Sequence, residues 1–132
     1  MNKTSEYLLL IRGTEWNKGL SPEEIENALS RFMGWFEGLQ EQGKLKGANP
    51  LKSEGKVVSG PSGRTVVDGP FAESKETVGG YFLLSLADMD EAVAIAKQCP
   101  ILEYGAQVEV RPVAEECPIM EAAREAGTLA HA

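Results

Sequence analysis

Histidine is nearly absent from this chain: His131, one residue from the C-terminal end, is the only one. Zinc needs clustered Cys and His ligands, so no zinc site is expected. Cysteine is scarce as well. Cys99 and Cys117 stand far apart, each followed by proline, and without a secretion signal they read as free thiols. No Walker phosphate loop and no G-x-S-x-G elbow occurs, so no cofactor is implied. Long apolar runs are missing too: none approaches the about 20 residues that span a bilayer. The apolar core at residues 7–11 is too short for the roughly 7–15 residues of a signal segment. It reads as a strand of a cytoplasmic protein. Clustered Lys and Arg are absent, and the net charge is −7. Such a surface repels phosphate backbones, so nucleic acid is not an expected partner, and neither is a membrane.

What is present suits one globular domain. The 132 residues are 42% hydrophobic and 25% charged, enough for one core and too few for two. Residues 7–11, YLLLI, form a continuous apolar run, as in a strand covered on both faces. Ser21-Pro22-Glu23-Glu24 is a helix start. Ser21 caps a free amide, Pro22 suits the first helical position, and Glu24 completes a capping box. Ile25, Leu29, Phe32, Phe36 and Leu39 then follow at helical spacing. Gly34 and Gly38 weaken this helix and suggest a close approach by another backbone. Residues 45–48 read as a short edge strand broken by Asn49-Pro50. Residues 56–59 and 64–67 are further short strands around a Pro61-Ser62-Gly63 turn. A second long apolar strand covers residues 80–86. Asp88 caps a second helix, whose buried face is Ala92, Ile95, Ala96 and Cys99, and which Pro100 ends. Cys99 would meet the negative end of that helix, which argues for a core thiol over a reactive one. Residues 107–111 alternate as a last strand.

This order predicts an α+β, ferredoxin-like (split βαβ) sheet with two helices on one face. Two helices cover only one face, yet both long strands are apolar at successive positions. A second copy packed sheet to sheet would cover the other, so a homodimer is expected. Residues 1–113 form the expected domain, and residues 114–132 a tail with a short helix near residues 120–126.

Residues 68–82, DGPFAESKETVGGYF, lie between the short strands and the second long one. This run resembles the signature of the DGPF branch of the YCII-related proteins. The likeness extends over residues 5–113, through the first strand, the Ser21-Pro22-Glu23-Glu24 helix start, and the closing helix and strand. It implies a dimeric α/β barrel. It also implies either an enzyme, through an Asp and a His sharing a pocket, or a regulatory role beside extracytoplasmic-function sigma factors. The chain departs from the Asp–His pattern: Arg12 stands where some relatives carry His, and His131 lies outside the matched region.

Asp68 is the candidate catalytic residue, a strand-end acid before a rigid Gly-Pro turn. Its structural alternative is a turn carboxylate accepting downstream amides. Candidate ligand-binding residues are Arg12, Phe71, Glu73 and Lys75. Phe71 either plugs the loop or lines a pocket. Glu73 and Lys75 either form a solvated polar run or hold an anionic group. Arg12 either pairs structurally or binds a carboxylate. Gly79-Gly80 reads as a bulge or close backbone approach, since it precedes a strand and lacks dinucleotide-loop spacing. Trp16 and Trp35 line either a pocket or an oligomer interface. The expected function is small-molecule binding in a regulatory or accessory role. The alternatives are acid/base catalysis on a small molecule by Asp68, and partnership with a sigma factor.

Overall fold

The computed structural model describes residues 3–69 and 77–127. Its main sheet has four antiparallel-paired strands in the order β2, β5, β1, β6. These are β1 (Ser5–Arg12), β2 (Leu45–Pro50), β5 (Val78–Leu86) and β6 (Gln107–Pro112). Between β2 and β5 the chain forms β3 (Lys56–Ser59) and β4 (Thr65–Asp68), which pair only with each other as a separate ribbon. Strand β5 runs antiparallel to both β1 and β2, the arrangement of a split βαβ unit.

Helix α1 (Pro22–Glu41) starts at the expected capping box. The Glu24 amide donates to Ser21 Oγ at 3.1 Å, and the Ser21 amide donates to Glu24 Oε1 at 3.0 Å. Its buried line is Ala28 and Leu39, with Phe32 and Trp35 half-buried. Leu29, expected on that line, is pushed to its edge and is 48% exposed. Gly34 and Gly38 face open space, so no backbone among the described residues approaches them.

Helix α2 (Met89–Ala96) is capped by Asp88, which accepts from the Glu91 amide at 2.8 Å. It stops at Ala96, before Pro100, because residues 100–104 turn separately in a tighter 3-10 helix. The four residues expected on its face, Ala92, Ile95, Ala96 and Cys99, are all buried. Strand β2 continues through Pro50, where the sequence suggested a break. Being an edge strand, β2 tolerates a residue with no amide to donate. Helix α3 (Pro118–Glu125) forms in the tail and has no buried residue. No helix among the described residues is long and apolar enough to cross a membrane.

Alternation along the long strands sorts the two sheet faces. Tyr7, Leu9 and Ile11 of β1, with Phe82, Leu84 and Leu86 of β5, are buried beneath the helices. Phe82 is the centre of the aromatic part of the core. Trp35 stacks on it at 5.0 Å, while Phe32 and Phe36 meet it edge-on at 5.9 and 5.5 Å. The Trp35 Nε1–H donates to the Ile95 carbonyl at 3.2 Å and ties α1 to α2. On the opposite face Leu8, Leu10 and Leu83 are half-buried.

Candidate functional site

The first residues of β5 shape one end of the main sheet. Ile11 pairs with Gly80 and Arg12 with Val78, so Gly79 is an extra, bulged residue. A Cβ on Gly79 would lie 3.0 Å from Thr14 Cγ2. On Gly80 it would lie 3.1 Å from the Asn49 carbonyl oxygen and 3.3 Å from Pro50 Cα. Both glycines thus permit a close approach, and the pair acts as the bulge expected of it. Leu51 is held there by its amide, which donates to the Gly79 carbonyl at 2.9 Å.

Beside this bulge, between α1 and the sheet, lies a cavity of about 420 Å³. Its apolar walls come from Leu29, Phe32, Met33 and Phe36 of α1 and from Ile11 and Phe82 of the sheet. Arg12, Thr14, Asn49, Lys52, Ser53 and Tyr81 also border it, although Asn49 and Tyr81 are in register with Leu10, so their side chains lie on the open sheet face. Asn49 Nδ2 donates to the Tyr81 hydroxyl at 2.9 Å, which fixes both side chains. Trp16 reaches the wall from the loop after β1 and packs against Tyr104 at 6.1 Å. Trp16 is therefore a cavity residue, and Trp35 a core residue.

Arg12 also lines the cavity, but its guanidinium pairs with Glu109 of β6. Glu109 in turn faces Arg111 at 3.7 Å. Glu109 is in register with Leu10, so the guanidinium and its partner lie on the open sheet face, and the rest of Arg12 borders the cavity. Sequence reasoning missed Glu109. The signal was there: between Val108 and Val110, strand alternation sends Glu109 to the face of Arg12.

Asp68 lies elsewhere. It ends β4 at the base of the ribbon, its side chain is 87% exposed, and it pairs with Lys56. It does not line the cavity. Its neighbour Gly69 is buried against Val57, where a Cβ would come within 2.7 Å of Val57 Cγ2. Phe71, Glu73 and Lys75 lie outside the described residues. The structure thus brings Arg12 to the cavity, and the single chain leaves Asp68 in solvent.

Among the described residues, two titratable groups depart from their usual range, and neither lines the cavity. Burial pushes the Cys99 thiol up, against two backbone hydrogen bonds that lower it, which keeps it protonated and inert. The Glu91 carboxyl is held below the usual range, first by the Ala87 amide at 2.8 Å and then by Lys44 at 2.9 Å. Both cysteines are free, Cys99 buried and Cys117 exposed. No group of three or more His, Cys, Asp or Glu able to hold a metal occurs among the described residues.

A family model of the YCII-related domain matches residues 6–117, so the chain belongs to the YCII-related family. Among solved structures, the chain is similar to 5-chloro-2-hydroxyhydroquinone dehydrochlorinase (TftG) from Burkholderia phenoliruptrix AC1100, determined with 2,5-dihydroxybenzoquinone. That likeness has a TM-score of 0.49 and 12% identity, over 84% of this chain and 95% of that one. It is also similar to a hypothetical protein of Arabidopsis thaliana, At3g17210, with a TM-score of 0.35 and 14% identity over 87% and 92%. No curated protein matches the chain. The two structural likenesses are of backbone, and the site is read from this chain's own residues.

Proposed function

We propose that this YCII-related chain binds a small, largely apolar ring compound in the cavity between α1 and the bulge, in a regulatory or accessory role. The cavity carries the proposal. Its volume of about 420 Å³ lies in the usual range for small-molecule sites, and its mostly apolar walls carry a few polar residues. Phe32 and Phe36 offer faces and edges to a ring. Thr14, Lys52 and Ser53 in its lining offer donors and acceptors, which would orient a polar substituent. The Asp68-Gly69-Pro70-Phe71 run supports a place in the DGPF branch, and with it a dimeric barrel. Leu8, Leu10 and Leu83 on the open sheet face support pairing of two copies there. Partnership with a sigma factor follows from the DGPF resemblance alone. An acid/base enzyme built on Asp68 draws no support from its exposed position beside Lys56.

Binding is tested with 8-anilinonaphthalene-1-sulfonate as a probe ring carrying an anion. Saturable binding with a change in Trp16 emission is expected. Ala48→Leu, which adds bulk to the cavity wall, should weaken binding about ten-fold, the loss of about 1.4 kcal/mol. Binding indifferent to Ala48→Leu would place the probe elsewhere and sink the proposal. Sedimentation at micromolar concentration tests the pairing; a monomer would remove that part alone.

A further inference from the structure

Exposure sorts the lining of the cavity into a floor and a mouth. Ile11, Thr77, Phe82 and Ile101 are buried and form the floor. Leu29 and Met33 of α1, with Leu51, Lys52 and Ser53 after β2, are exposed and form the rim. Large apolar side chains in solvent therefore surround one opening: Leu29 is 48% exposed, and Met33 and Leu51 are each 49% exposed. Apolar residues drawn together in this way mark a surface that something covers.

Two backbone hydrogen bonds build one end of that opening. The Gly13 amide donates to the Thr77 carbonyl at 3.3 Å, and the Leu51 amide donates to the Gly79 carbonyl at 2.9 Å. They hold the segments that follow β1 and β2 against the start of β5. Thr14, Thr77, Lys52 and Ser53, all in the lining, belong to these joined segments.

The charge of the lining is one-sided. The chain holds 20 acidic residues and 13 basic ones. Among the described residues, the lining holds Arg12 and Lys52 and neither Asp nor Glu. The Arg12 guanidinium is taken by Glu109, which leaves Lys52 as the cation for the mouth. The acids next to the mouth in sequence do not cancel it. Glu15 is paired with Lys18 at 2.7 Å. Glu54 lies 4.0 Å from Lys52, with side chains 81% and 88% exposed. An exposed pair of that kind is worth little and yields to a better partner. Lys52 thus carries a mobile ammonium group on a flexible stem beside an apolar opening.

We infer that the cavity takes an aromatic acid, ionised at neutral pH, with its ring against Phe32, Phe36 and Phe82 and its anionic group at the mouth on Lys52. This rests on the cavity being a small-molecule site, and it adds the charge of the ligand and the residue that selects it. A ring charged at one end suits this shape, because the ring is buried while the charge keeps its contact with water. A neutral ring gains the same floor and nothing from Lys52. A ring amine meets a like charge at the rim. The chain as a whole is acidic and repels anions, so a cation at the mouth is what lets an acid approach.

Two probes that differ only in the sulfonate test the charge: 8-anilinonaphthalene-1-sulfonate and its neutral parent, N-phenyl-1-naphthylamine. Each is titrated by fluorescence into the full chain. Lys52→Met should weaken the sulfonate about three- to five-fold, the scale of an exposed charge pair. Lys52→Glu should weaken it about ten-fold, since like charges then meet. Lys52→Arg should retain it, and the neutral parent should stay within about two-fold throughout. Lys56→Met removes a cation outside the lining and should leave both probes unchanged, which separates a local contact from a change in net charge. In competition, 1-naphthoate should displace the neutral parent better than 1-naphthamide does, and lose that advantage in Lys52→Met. If Lys52→Met weakens both probes equally or neither, or if Lys56→Met does as much, the anion contact is overturned. The cavity reading then still stands where Ala48→Leu expels the neutral parent. If neither probe binds the wild-type chain, or both ignore Ala48→Leu, the small-molecule reading falls and takes the acid with it.

Discussion

The β1–β5 pair and the β3–β4 ribbon are both antiparallel and both rich in branched aliphatic residues, yet they end in opposite surroundings. In β1 and β5, Leu9 and Leu84 are 0% exposed and Leu86 is 1% exposed. In the ribbon, no valine is less than 49% exposed. The local signal for a strand is equally good in both. What differs is the third body: α1 and α2 lie across the first pair, and no helix among the described residues lies across the second. β propensity reports fit to a half-buried pleated surface, and it does not say which surface completes the burial. The ribbon is the part of the molecule whose valines no described element covers.

Truncation should separate the two regions most sharply. Leu84→Ala removes a fully buried side chain and should cost about 2–5 kcal/mol in urea unfolding. Val66→Ala, measured at a dilution where the chain is monomeric, should cost no more than about 0.5 kcal/mol, as for an exposed site. Equal costs would mean that the ribbon is packed within one chain, and the contrast would collapse.

Gly80→Ala probes the junction of the two regions. Its Cβ would press on the Asn49 carbonyl and Pro50 Cα, both backbone, so β2 must shift. A loss of about 1–3 kcal/mol is expected by analogy with overpacking, together with weaker probe binding in the cavity. Unchanged stability and binding would show that β2 yields freely at the bulge.

The smallest expected effect is at Glu91, far from the ribbon on the helical side of the sheet. Its carboxyl is depressed in the folded chain by the Ala87 amide and Lys44. Its contribution is therefore present above the unfolded value near 4.5 and is lost as pH falls through the folded value. The wild-type chain should be more stable than Glu91→Gln at pH 7, and the gap should close as the pH falls below the folded value. A gap that persists in acid would assign the difference to packing.

Much of the helical frame was legible because its signals are local. Ser21, Pro22 and Glu24 specify a helix start through atoms within one turn, as Asp88 does for α2. The buried face of α2 followed from spacing alone. Leu29 was misplaced for a related reason: spacing defines a stripe, but α1 packs closest to the turn at residues 100–104, and it is Ala28 that is fully buried. Pro50 was read as a break because its missing amide matters in a central strand; at an edge the same residue does no harm. Of the candidate site residues, Arg12 reached the cavity, whereas Asp68 drew attention by its motif and stands at an exposed ribbon base. Glu109, Asn49 and Tyr81 come from three different strands, and only pairing register brings them near Arg12.

The sequence by itself determined the helix starts, the two long apolar strands, the strand–helix order of a YCII-related chain, and two free thiols. Those depend on contacts within a few residues, or on hydrophobic period. Tertiary structure alone decided the cavity, the partner of Arg12 and the exposure of Asp68. Each of these depends on which distant strands become neighbours, and on what, if anything, covers them.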